Sequence, residues 1–387
     1  MNDMNDKEYH LRDSFNQFAS KHGISNVLFQ KKRAIDRIKD AIEKKATEEK
    51  YSDVIQIVLK DLLNEESSKV SFKITEYEAD EMDCLDDKDI VRYLYHRYRY
   101  KVYPEIKKID DYPPCLQIEP TSKCNYRCVF CYQSDKTFSG KKSGFMGTMS
   151  LDFFKKVIDQ AEGNVDFITL ASRGEPLLTQ NIIPMLKYSS GKFINIKINT
   201  NASVLTEKLA HAIISSGVNT LVFSVDAAKE SLYSQFRING NFEKVKKNIQ
   251  MFKSIREKKY PGSKILTRVS GVMYNPDVQD IDSMNLVWKP LVDQVSYVNY
   301  SPWEKIYESS PTSILSICSD LWRRMFVWND GVVNPCDNDY KSHLKVGSID
   351  EFSLSELWKS VHYQNIRNMH MKGQRKMLEP CKRCTVS

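Results

Sequence analysis

The middle of the chain alternates short apolar runs with amphipathic segments. Six apolar runs predict β-strands: LQIEP (116–120), DFITLA (166–171), NIKINT (195–200), TLVFSV (220–225), ILTRVSGVM (265–273) and QVSYVNY (294–300). Between them, apolar residues recur every three or four positions, as in SLDFFKKVIDQA, which is typical of a helix with one buried face. Strands that alternate with such helices predict parallel β/α units. Since a closed barrel needs about eight units, six predict an α/β fold built on an open, partial (β/α)6 barrel.

The segment that precedes these strands has helical spacing. FQKKRAIDRIKDAIEKK and YSDVIQIVLKDLLNEE predict helices, so we expect a helical N-terminal extension over residues 1–111. EADEMDCLDDKD (78–89) is interpreted as an acidic connector. RYLYHRYRYKVY (92–103) is interpreted as a helix that packs its tyrosines on the core and leaves its arginines in solvent. A surface that stacks a sugar or a polyanion is the alternative.

The pattern changes again in the last part of the chain. MFVWNDGVVNPC (325–336) predicts a hairpin around Asn-Asp-Gly. SLSELWKSVHYQNIRNMH (353–370) predicts a helix. The expected domains are therefore a helical extension over residues 1–111, a partial barrel over 112–305 and a small C-terminal domain over 306–387.

Composition narrows the class of protein. The 387 residues are 41% hydrophobic and 28% charged, which is ordinary for a globular protein. A net charge of +7 is small for this length and does not indicate a nucleic-acid partner. The sequence contains no apolar run of about 18 residues that would predict a membrane span, and its polar N-terminus lacks the apolar core of a signal peptide. We therefore expect a protein of the reducing cytoplasm.

In that compartment the nine cysteines need an explanation other than disulfides. The stretch CNYRCVFC places Cys124, Cys128 and Cys131 just after the first predicted strand, at the end where β/α barrels carry their chemistry. Thiolates at this spacing suit an iron–sulfur cluster. Three ligands on a four-iron cluster leave one iron open to a substrate or a cofactor. A zinc ion that takes a remote histidine as its fourth ligand is the alternative.

The other cysteines fall into a late group and two single residues. The late group, Cys318, Cys336, Cys381 and Cys384, combines a C-x12-G-x4-C segment with a C-x-x-C, and four thiols can close a tetrahedral zinc site. Cys115 is predicted to be a small buried hydrophobe. The acidic residues around Cys84 argue against a reactive thiolate there.

Several motifs resemble those of the radical S-adenosylmethionine (radical SAM) superfamily. CNYRCVFC, with Phe130 just before its last cysteine, resembles the family's signature. SRGEPLL (172–178) resembles its Gly-Gly-Glu-Pro motif, with Arg173 in place of the first glycine. NTNA (199–202) and SVDAAKESLYSQFR (224–237) resemble its Thr-Asn-Gly segment and its Ser-x-Asp segment with a following arginine. Each motif follows a predicted strand, in the order the family has.

The resemblance implies a cofactor set and a type of reaction. Cys124, Cys128 and Cys131 would hold a [4Fe–4S] cluster whose open iron binds S-adenosylmethionine. Reductive cleavage would then give a 5′-deoxyadenosyl radical, which abstracts hydrogen from a substrate C–H bond. The implied cofactor contacts are Phe130, Gly174, Glu175, Asn201, Ser224 and Arg237. No catalytic side chain is assigned.

The C-terminal region resembles the SPASM or twitch extension of the same superfamily. Its C-x12-G-x4-C hairpin and VGSIDEFSLSELW (346–358) carry the resemblance. It implies one auxiliary [4Fe–4S] cluster held by Cys318, Cys336, Cys381 and Cys384. Because full ligation leaves no open iron, electron transfer is the natural role.

The leading hypothesis is oxidation of a sugar or cyclitol alcohol, with the auxiliary cluster as electron acceptor. The substrate would be a small molecule or a glycosyl group, and the electron donor a flavodoxin or ferredoxin. Modification of a peptide or protein, epimerisation or decarboxylation of a sugar, and a non-enzymatic iron–sulfur scaffold are the alternatives.

Overall fold

The computed structural model describes residues 15–20, 22–44, 49–64 and 70–386. The polar N-terminus lies outside the described residues. The strands are β1 (Phe15–Ala19), β2 (Cys115–Ile118), β3 (Arg127–Cys128), β4 (Phe167–Leu170), β5 (Asn195–Thr200), β6 (Thr220–Ser224), β7 (Arg237–Ile238), β8 (Leu266–Met273), β9 (Gln294–Asn299), β10 (Arg324–Val327), β11 (Val332–Asn334) and β12 (Gly347–Ser348).

The helices alternate with the strands through the middle of the chain. They are α1 (Gly23–Glu43), α2 (Glu49–Leu63), α3 (Glu76–Asp83), α4 (Ile90–Ile106), α5 (Lys136–Ser139), α6 (Leu151–Ala161), α7 (Ile182–Ser189), α8 (Glu207–Ser215), α9 (Glu230–Phe236), α10 (Phe242–Lys259), α11 (Ile281–Trp288), α12 (Leu354–Lys359) and α13 (Val361–Met371). No helix among the described residues is both long and apolar enough to span a membrane.

One sheet of ten strands organises the molecule, in the order β1-β9-β8-β6-β5-β4-β2-β10-β11-β12. Its six central strands, β9, β8, β6, β5, β4 and β2, are parallel to their neighbours. They are the six strands that the apolar runs predict, with ends that differ by one or two residues. The α/β class and the partial barrel are confirmed.

The regions that flank the barrel extend its sheet at both edges. β1 pairs antiparallel with β9, so the N-terminal extension contains a strand in addition to the predicted helices. β10 pairs parallel with β2, and β11 and β12 continue from it antiparallel. Hydrogen bonds of the sheet therefore cross both expected domain boundaries, at 111/112 and 305/306, and those boundaries stay predictions.

Local signals account for the barrel helices. Ser150 begins α6 by accepting a hydrogen bond from the Phe153 amide at 3.1 Å, as an N-cap serine does. The apolar face of α6 is fully buried against the sheet. The predicted hairpin also forms: β10 and β11 pair across a turn in which Gly331 has φ +86°, a conformation that glycine adopts at low cost.

The predicted C-terminal helix is two helices. The chain leaves helical conformation at Ser360, whose φ of −56° and ψ of 152° end α12. The Ser360 hydroxyl then accepts from the Tyr363 amide at 3.2 Å and begins α13. The prediction of one continuous helix over 353–370 is wrong because apolar spacing does not show a serine that caps in the middle of the pattern.

The acidic segment 78–89 is wrongly predicted as a connector. Its first half belongs to α3, which begins with a capping box between Thr75 and Glu78. The Glu78 carboxylate is 1% exposed and forms ion pairs with Arg97 at 2.7 Å and Lys101 at 2.9 Å. The acidic residues are therefore charge partners inside the fold.

The helix α4 has buried arginines. Its tyrosines pack on the core as predicted, but Arg97 and Arg99 are buried as well. Arg97 pairs with Glu78, and Arg99 pairs with Asp110 at 2.7 Å. The expectation that the arginines lie in solvent is wrong because their carboxylate partners come from outside α4, where the helical pattern does not show them.

We expect Glu78→Gln to destabilise the protein by about 3 kcal/mol, since it leaves buried Arg97 without its charge partner. Burial opposes ionisation of Glu78, but Arg97 and Lys101 dominate and lower its pKa from 4.5 to about 2. The carboxylate therefore stabilises fully above pH 4.5 and progressively less as the pH falls toward 2.

Urea unfolding followed by circular dichroism measures the difference in free energy of unfolding between wild type and Glu78→Gln. This difference should become smaller below pH 4.5. The exposed Glu207→Gln is the matched control and should stay within about 0.5 kcal/mol of wild type. Equal stability of Glu78→Gln and wild type at pH 7 would contradict the stabilising role.

Candidate active site and second cysteine centre

A cavity of about 820 Å³ occupies the barrel. It reaches from the carboxyl ends of the parallel strands down to α3 and α4 of the N-terminal extension. The lining at the carboxyl ends contains Cys124, Cys128, Phe130, Cys131, Gly174, Glu175, Asn201, Ser224, Asp226 and Arg237. The cavity thus brings together all nine residues that the sequence predicts for the first cluster and its cofactor. Its volume is within the range of small-molecule sites, about 300–1,000 Å³.

The three thiols of the CNYRCVFC loop are buried or half-buried. Burial raises the pKa of Cys124 to about 12, and it raises the pKa of Cys128 and Cys131 as well. The thiols also raise one another's pKa, because each thiolate disfavours a second negative charge nearby. Such thiols ionise readily only beside a strong positive charge, and a bound metal supplies one. The donor set therefore fits an iron–sulfur cluster.

Among the described residues, two groups donate toward these sulfurs. The Tyr126 amide lies 3.4 Å from Cys124 Sγ, and Arg237 Nη1 lies 3.9 Å from Cys128 Sγ. Arg237 itself is held by Asp226 at 2.5 Å. Asp226 was not among the predicted site residues, although it is the acidic residue of the Ser-x-Asp segment that identified Arg237.

Gly174 lies against the loop that carries the cysteines. A Cβ on this residue would meet Thr121 O at 2.3 Å and Lys123 O at 2.6 Å, closer than carbon atoms can approach. The next amide, of Glu175, donates to Lys123 O at 2.9 Å. The RGEP segment therefore fixes the backbone just before Cys124, and the glycine is needed for this close approach.

The Glu175 carboxylate is held by three donors of the chain. It accepts from the Thr200 hydroxyl at 2.7 Å, the Asn201 amide at 2.7 Å and the Leu177 amide at 3.1 Å. Burial raises the pKa of Glu175, while these hydrogen bonds oppose the shift. The group is thus fixed at the cavity wall, and its contact with the cofactor stays a prediction.

Asn201 is engaged within the protein. Its Nδ2 donates to Asn125 Oδ1 at 3.0 Å, and its Oδ1 accepts from the Ser203 amide at 2.9 Å. Asn125 lies in the cysteine loop, so Asn201 holds that loop from the end of β5. Ser224 lines the same cavity from β6, and Phe130 packs against the Tyr274 ring at 5.7 Å. Their contacts with a cofactor remain predictions.

Arg173, which replaces a glycine of the family motif, joins the barrel to the C-terminal region. Its guanidinium pairs with buried Glu119, with both Nε and Nη2 at 2.7 Å from the carboxylate. The same group stacks over Trp328 at 4.2 Å and donates to Tyr340 O at 2.9 Å. Glu119 also accepts from Asn329 Nδ2 at 2.7 Å. Arg173 therefore links the barrel to the C-terminal region, and the motif alone does not show this role.

The four late cysteines form a second group around Arg375. Its Nη2 donates to Cys384 O at 2.9 Å, its Nε to Cys381 O at 3.2 Å and its Nη1 to Ser316 O at 3.0 Å. The guanidinium is buried and interacts electrostatically with the thiols of Cys318, Cys381 and Cys384. A fixed buried cation beside several thiols suits a group of thiolates, and no sequence motif had singled it out.

Cys336 completes this group. Burial raises the pKa of Cys336, and Asp337, Cys318, Cys384 and Cys381 add to the shift. The structure therefore brings the four predicted ligands together. Within the described ranges, no three His, Cys, Asp or Glu side chains stand together as the ligands of a single metal ion would.

The two remaining cysteines lie outside both groups. Burial raises the pKa of Cys84 to about 12, and four nearby carboxylates add to the shift. Burial also raises the pKa of Cys115, which is buried at the start of β2. Neither thiol has the character of a thiolate nucleophile.

Comparison with known proteins identifies both regions. Residues 118–266 match the family described as the radical SAM superfamily, and residues 318–385 match an iron–sulfur cluster-binding domain, SPASM. The resemblance drawn from the motifs is confirmed. Such a pair of domains binds a [4Fe–4S] cluster with S-adenosylmethionine and an auxiliary iron–sulfur cluster.

Curated relatives are similar over part of the chain. AdoMet-dependent heme synthase of Methanosarcina barkeri is 26% identical over 142 residues, 36% of this chain and 39% of the relative. Mycofactocin maturase MftC of Mycobacterium tuberculosis is 27% identical over 140 residues, 36% and 34% of the two chains. GTP 3',8-cyclase of Desulforamulus reducens is 30% identical over 137 residues, which cover 35% of this chain and 41% of the relative. The chain thus spans less than half the length of these relatives.

A solved structure shares the fold. Native anSMEcpe with bound AdoMet is 16% identical, with a TM-score of 0.50 over 70% of this chain and 88% of that chain. At this identity the likeness concerns the fold alone.

We expect Gly174→Ala to displace the cysteine loop, because its Cβ has no space beside Thr121 O and Lys123 O. After anaerobic reconstitution, the variant should lack the iron of the cluster bound by Cys124, Cys128 and Cys131 and should keep the iron of the auxiliary cluster. Iron and sulfide analysis with electron paramagnetic resonance measures this loss. Gly262→Ala is the matched control, since its Cβ would meet nothing within 4 Å. Full iron content in Gly174→Ala would show that the close approach is not required.

We expect Arg173→Met to cost about 3–5 kcal/mol, because it leaves Glu119 ionised and unpaired in the interior. Adding Glu119→Gln should recover part of the loss. Thermal unfolding of the two single variants and the double variant gives the coupling energy. As a control, Lys156→Met removes an exposed ion pair with Asp350 between the same two regions and should cost at most about 1 kcal/mol. If Arg173→Met and Lys156→Met lost the same stability, the result would contradict a buried link between the two regions.

Proposed function

We propose that this chain, which carries a radical SAM domain followed by an iron–sulfur cluster-binding domain, oxidises an alcohol carbon of a small polar substrate of sugar or cyclitol type. Cys124, Cys128 and Cys131 would hold the first cluster, and Cys318, Cys336, Cys381 and Cys384 would hold one auxiliary [4Fe–4S] cluster. When bound, these groups and S-adenosylmethionine supply an organic radical that removes a hydrogen atom from an unactivated C–H bond, and an acceptor for the second electron.

The observation that carries this proposal is an apolar cluster shared by the two cysteine groups. It is built around Tyr132, Phe138 and Tyr340, and both Cys131 and Cys384 border it. The Tyr132 and Tyr340 rings stack with centroids 5.0 Å apart. The two proposed clusters would therefore be separated by packed aromatic side chains, which exclude water and hold the two centres at a constant separation.

The second cysteine group also adjoins the substrate space. Asp337, the residue after Cys336, lines the barrel cavity together with Gln117 of β2. A bound substrate would thus lie between the two cysteine groups. This arrangement supports removal of a hydrogen atom on one side and of an electron on the other, which is net oxidation.

The walls of the cavity favour a small polar substrate. Gln117, Thr169, Asn199 and Ser270 line it from four strands, and the α3 and α4 helices close it at the amino ends. Hydroxyl and amide groups suit a polyhydroxylated molecule, because each can exchange a hydrogen bond with a substrate hydroxyl.

Peptide modification is the second candidate. It is supported by the 27% identity with mycofactocin maturase MftC over 140 residues. Epimerisation and decarboxylation of a sugar use the same first step. A flavodoxin or ferredoxin in the reducing cytoplasm would supply the electron for the first cluster.

The reaction class can be tested on anaerobically reconstituted protein with dithionite, S-adenosylmethionine and a panel of cyclitols, aminocyclitols and sugars. We expect 5′-deoxyadenosine, and a product two mass units lighter than its substrate in equal amount. An unchanged mass with deuterium gained from heavy water would favour epimerisation. Well-folded, iron-loaded protein that makes no 5′-deoxyadenosine would overturn the proposal.

The role of the second group is tested by Cys381→Ala. We expect loss of substrate oxidation with slow, uncoupled formation of 5′-deoxyadenosine retained, because the first cysteine group is unchanged. Liquid chromatography with mass spectrometry measures both products. Cys84→Ala is the control and should leave both unchanged, since Cys84 lies outside the cavity and both cysteine groups. Normal oxidation by Cys381→Ala would contradict the proposed electron acceptor.

A further inference from the structure

The lower half of the barrel cavity contains a group of three cationic side chains. Lys197 of β5, Arg268 of β8 and Arg324 of β10 all line it. They come from three different strands of the sheet, and the charges of both arginines act on Lys197. None of them belongs to the motifs that identified the cofactor site.

Within the described residues, Lys197 is without a compensating ion pair. In the described part of the chain its ammonium group makes no hydrogen bond and no ion pair. The charged and titratable groups that face it are Arg268 from β8, Arg324 from β10, Cys115 from β2 and Glu81 from α3. Glu81 accepts a hydrogen bond from Tyr93 at 2.8 Å, and burial keeps the Cys115 thiol protonated. Lys197 is thus a half-buried cation that faces two other cations, the Glu81 carboxylate and the cavity.

The two arginines are fixed in place. Arg268 donates to Gln294 Oε1 from Nε at 2.8 Å and from Nη2 at 2.6 Å, and it stacks over the Tyr77 ring at 4.7 Å. Arg324 Nε donates to the Tyr100 hydroxyl at 2.7 Å and lies 3.7 Å from Asp320 Oδ1. These contacts hold both guanidinium groups before any ligand binds, so their repulsion of Lys197 cannot relax by side-chain movement.

An unused polar atom lies on the same strand. Asn199 Oδ1, two residues along β5 from Lys197, is buried and accepts no hydrogen bond within the described residues. Residues i and i+2 of a strand face the same side, and both line the cavity. A hydroxyl of a bound molecule could donate to Asn199 while an anionic group of that molecule meets Lys197.

We propose that Lys197, Arg268 and Arg324 bind a compact anionic group of the substrate, a phosphate or a carboxylate, at the lower end of the barrel. The proposal rests on the proposed function, in which the substrate occupies this cavity. Lys197 lies four residues, about 13 Å of strand, from Asn201 at the cofactor end. The anion would therefore anchor the substrate at one end and direct its hydroxylated carbons toward the cofactor.

The state of Lys197 agrees with this geometry. Burial, together with the charges of Arg268 and Arg324, lowers the pKa of Lys197 from 10.5 to about 8. The folded protein is therefore destabilised by this ammonium below pH 8, and the cost disappears as the pH rises from about 8 toward 10.5. A bound anion removes the same cost at neutral pH, so anion binding should weaken as the pH rises through 8.

Thermal unfolding of the iron-loaded protein at pH 7, with inorganic phosphate in one series and acetate in another, tests the proposal. We expect the wild-type Tm to rise with the concentration of the preferred anion, as mass action requires, and the rise to shrink at pH 9. The series with the larger rise identifies phosphate or carboxylate as the natural group.

Two variants at position 197 separate binding from structure. Lys197→Met should have a higher Tm than wild type without anion and no response to it. Lys197→Arg should respond at both pH 7 and pH 9, since an arginine does not titrate there. Lys187→Met, an exposed lysine on α7, is the matched control and should respond like wild type.

Two results would overturn the proposal: a wild-type protein that responds to neither anion, or a Lys197→Met variant that responds as wild type does. Uncoupled formation of 5′-deoxyadenosine is measured on the same samples. If wild type forms it but responds to neither anion, the result counts against the subsite alone. If wild type forms none, the proposed function itself fails.

Discussion

The loop that carries the first three cysteines has little regular structure of its own, and its anchors are the constraint on which the site depends. Gly174 presses on its backbone, Asn201 holds Asn125 through a hydrogen bond of 3.0 Å, and Arg237 reaches Cys128 Sγ at 3.9 Å. Gly174 and Asn201 follow the carboxyl ends of β4 and β5, and Arg237 begins β7, which pairs antiparallel with β3 at Cys128. The parallel sheet therefore positions the thiols by bringing several strand ends together, which explains why the motifs occur after consecutive strands.

A second constraint holds the two cysteine groups together. β10 adds to the barrel sheet beside β2, and the Glu119–Arg173 pair closes over that junction onto Trp328. A buried ion pair adds little to stability compared with an apolar pair of similar size, but breaking it is costly. The pair thus disfavours, by the cost of breaking it, any arrangement of the barrel and the C-terminal region in which Glu119 and Arg173 are apart. The electron transfer proposed between the two cysteine groups needs such a fixed separation, because its rate depends on distance.

The sequence predicted what depends on local pattern. Six strands, the serine cap of α6 and the hairpin at Gly331 follow from apolar spacing and turn chemistry, and the cysteines from their spacing and motif order. The errors concern charges whose partners are distant in sequence. Arg97 is buried because Glu78 meets it from another helix, and Arg173 because Glu119 does. The strand β1 was missed for a related reason, since a short edge strand forms through pairing with β9 and not through its own pattern.

The N-terminal extension forms part of the cavity wall, because its helices pack against the amino ends of the barrel strands. Phe167 at the start of β4 stacks on His96 of α4 at 3.7 Å, and Cys115 and Ile194 join the apolar cluster of α2 and α4. These contacts close the amino ends of the strands. If the lower cavity were open to water there, the charge of Lys197 would be screened and its attraction for an anion would fall several-fold. Enclosure makes the unpaired ammonium costly to the empty protein and, for the same reason, selective for a charged ligand. On the proposed anion site, the extension would therefore contribute to recognition by enclosing the lower cavity.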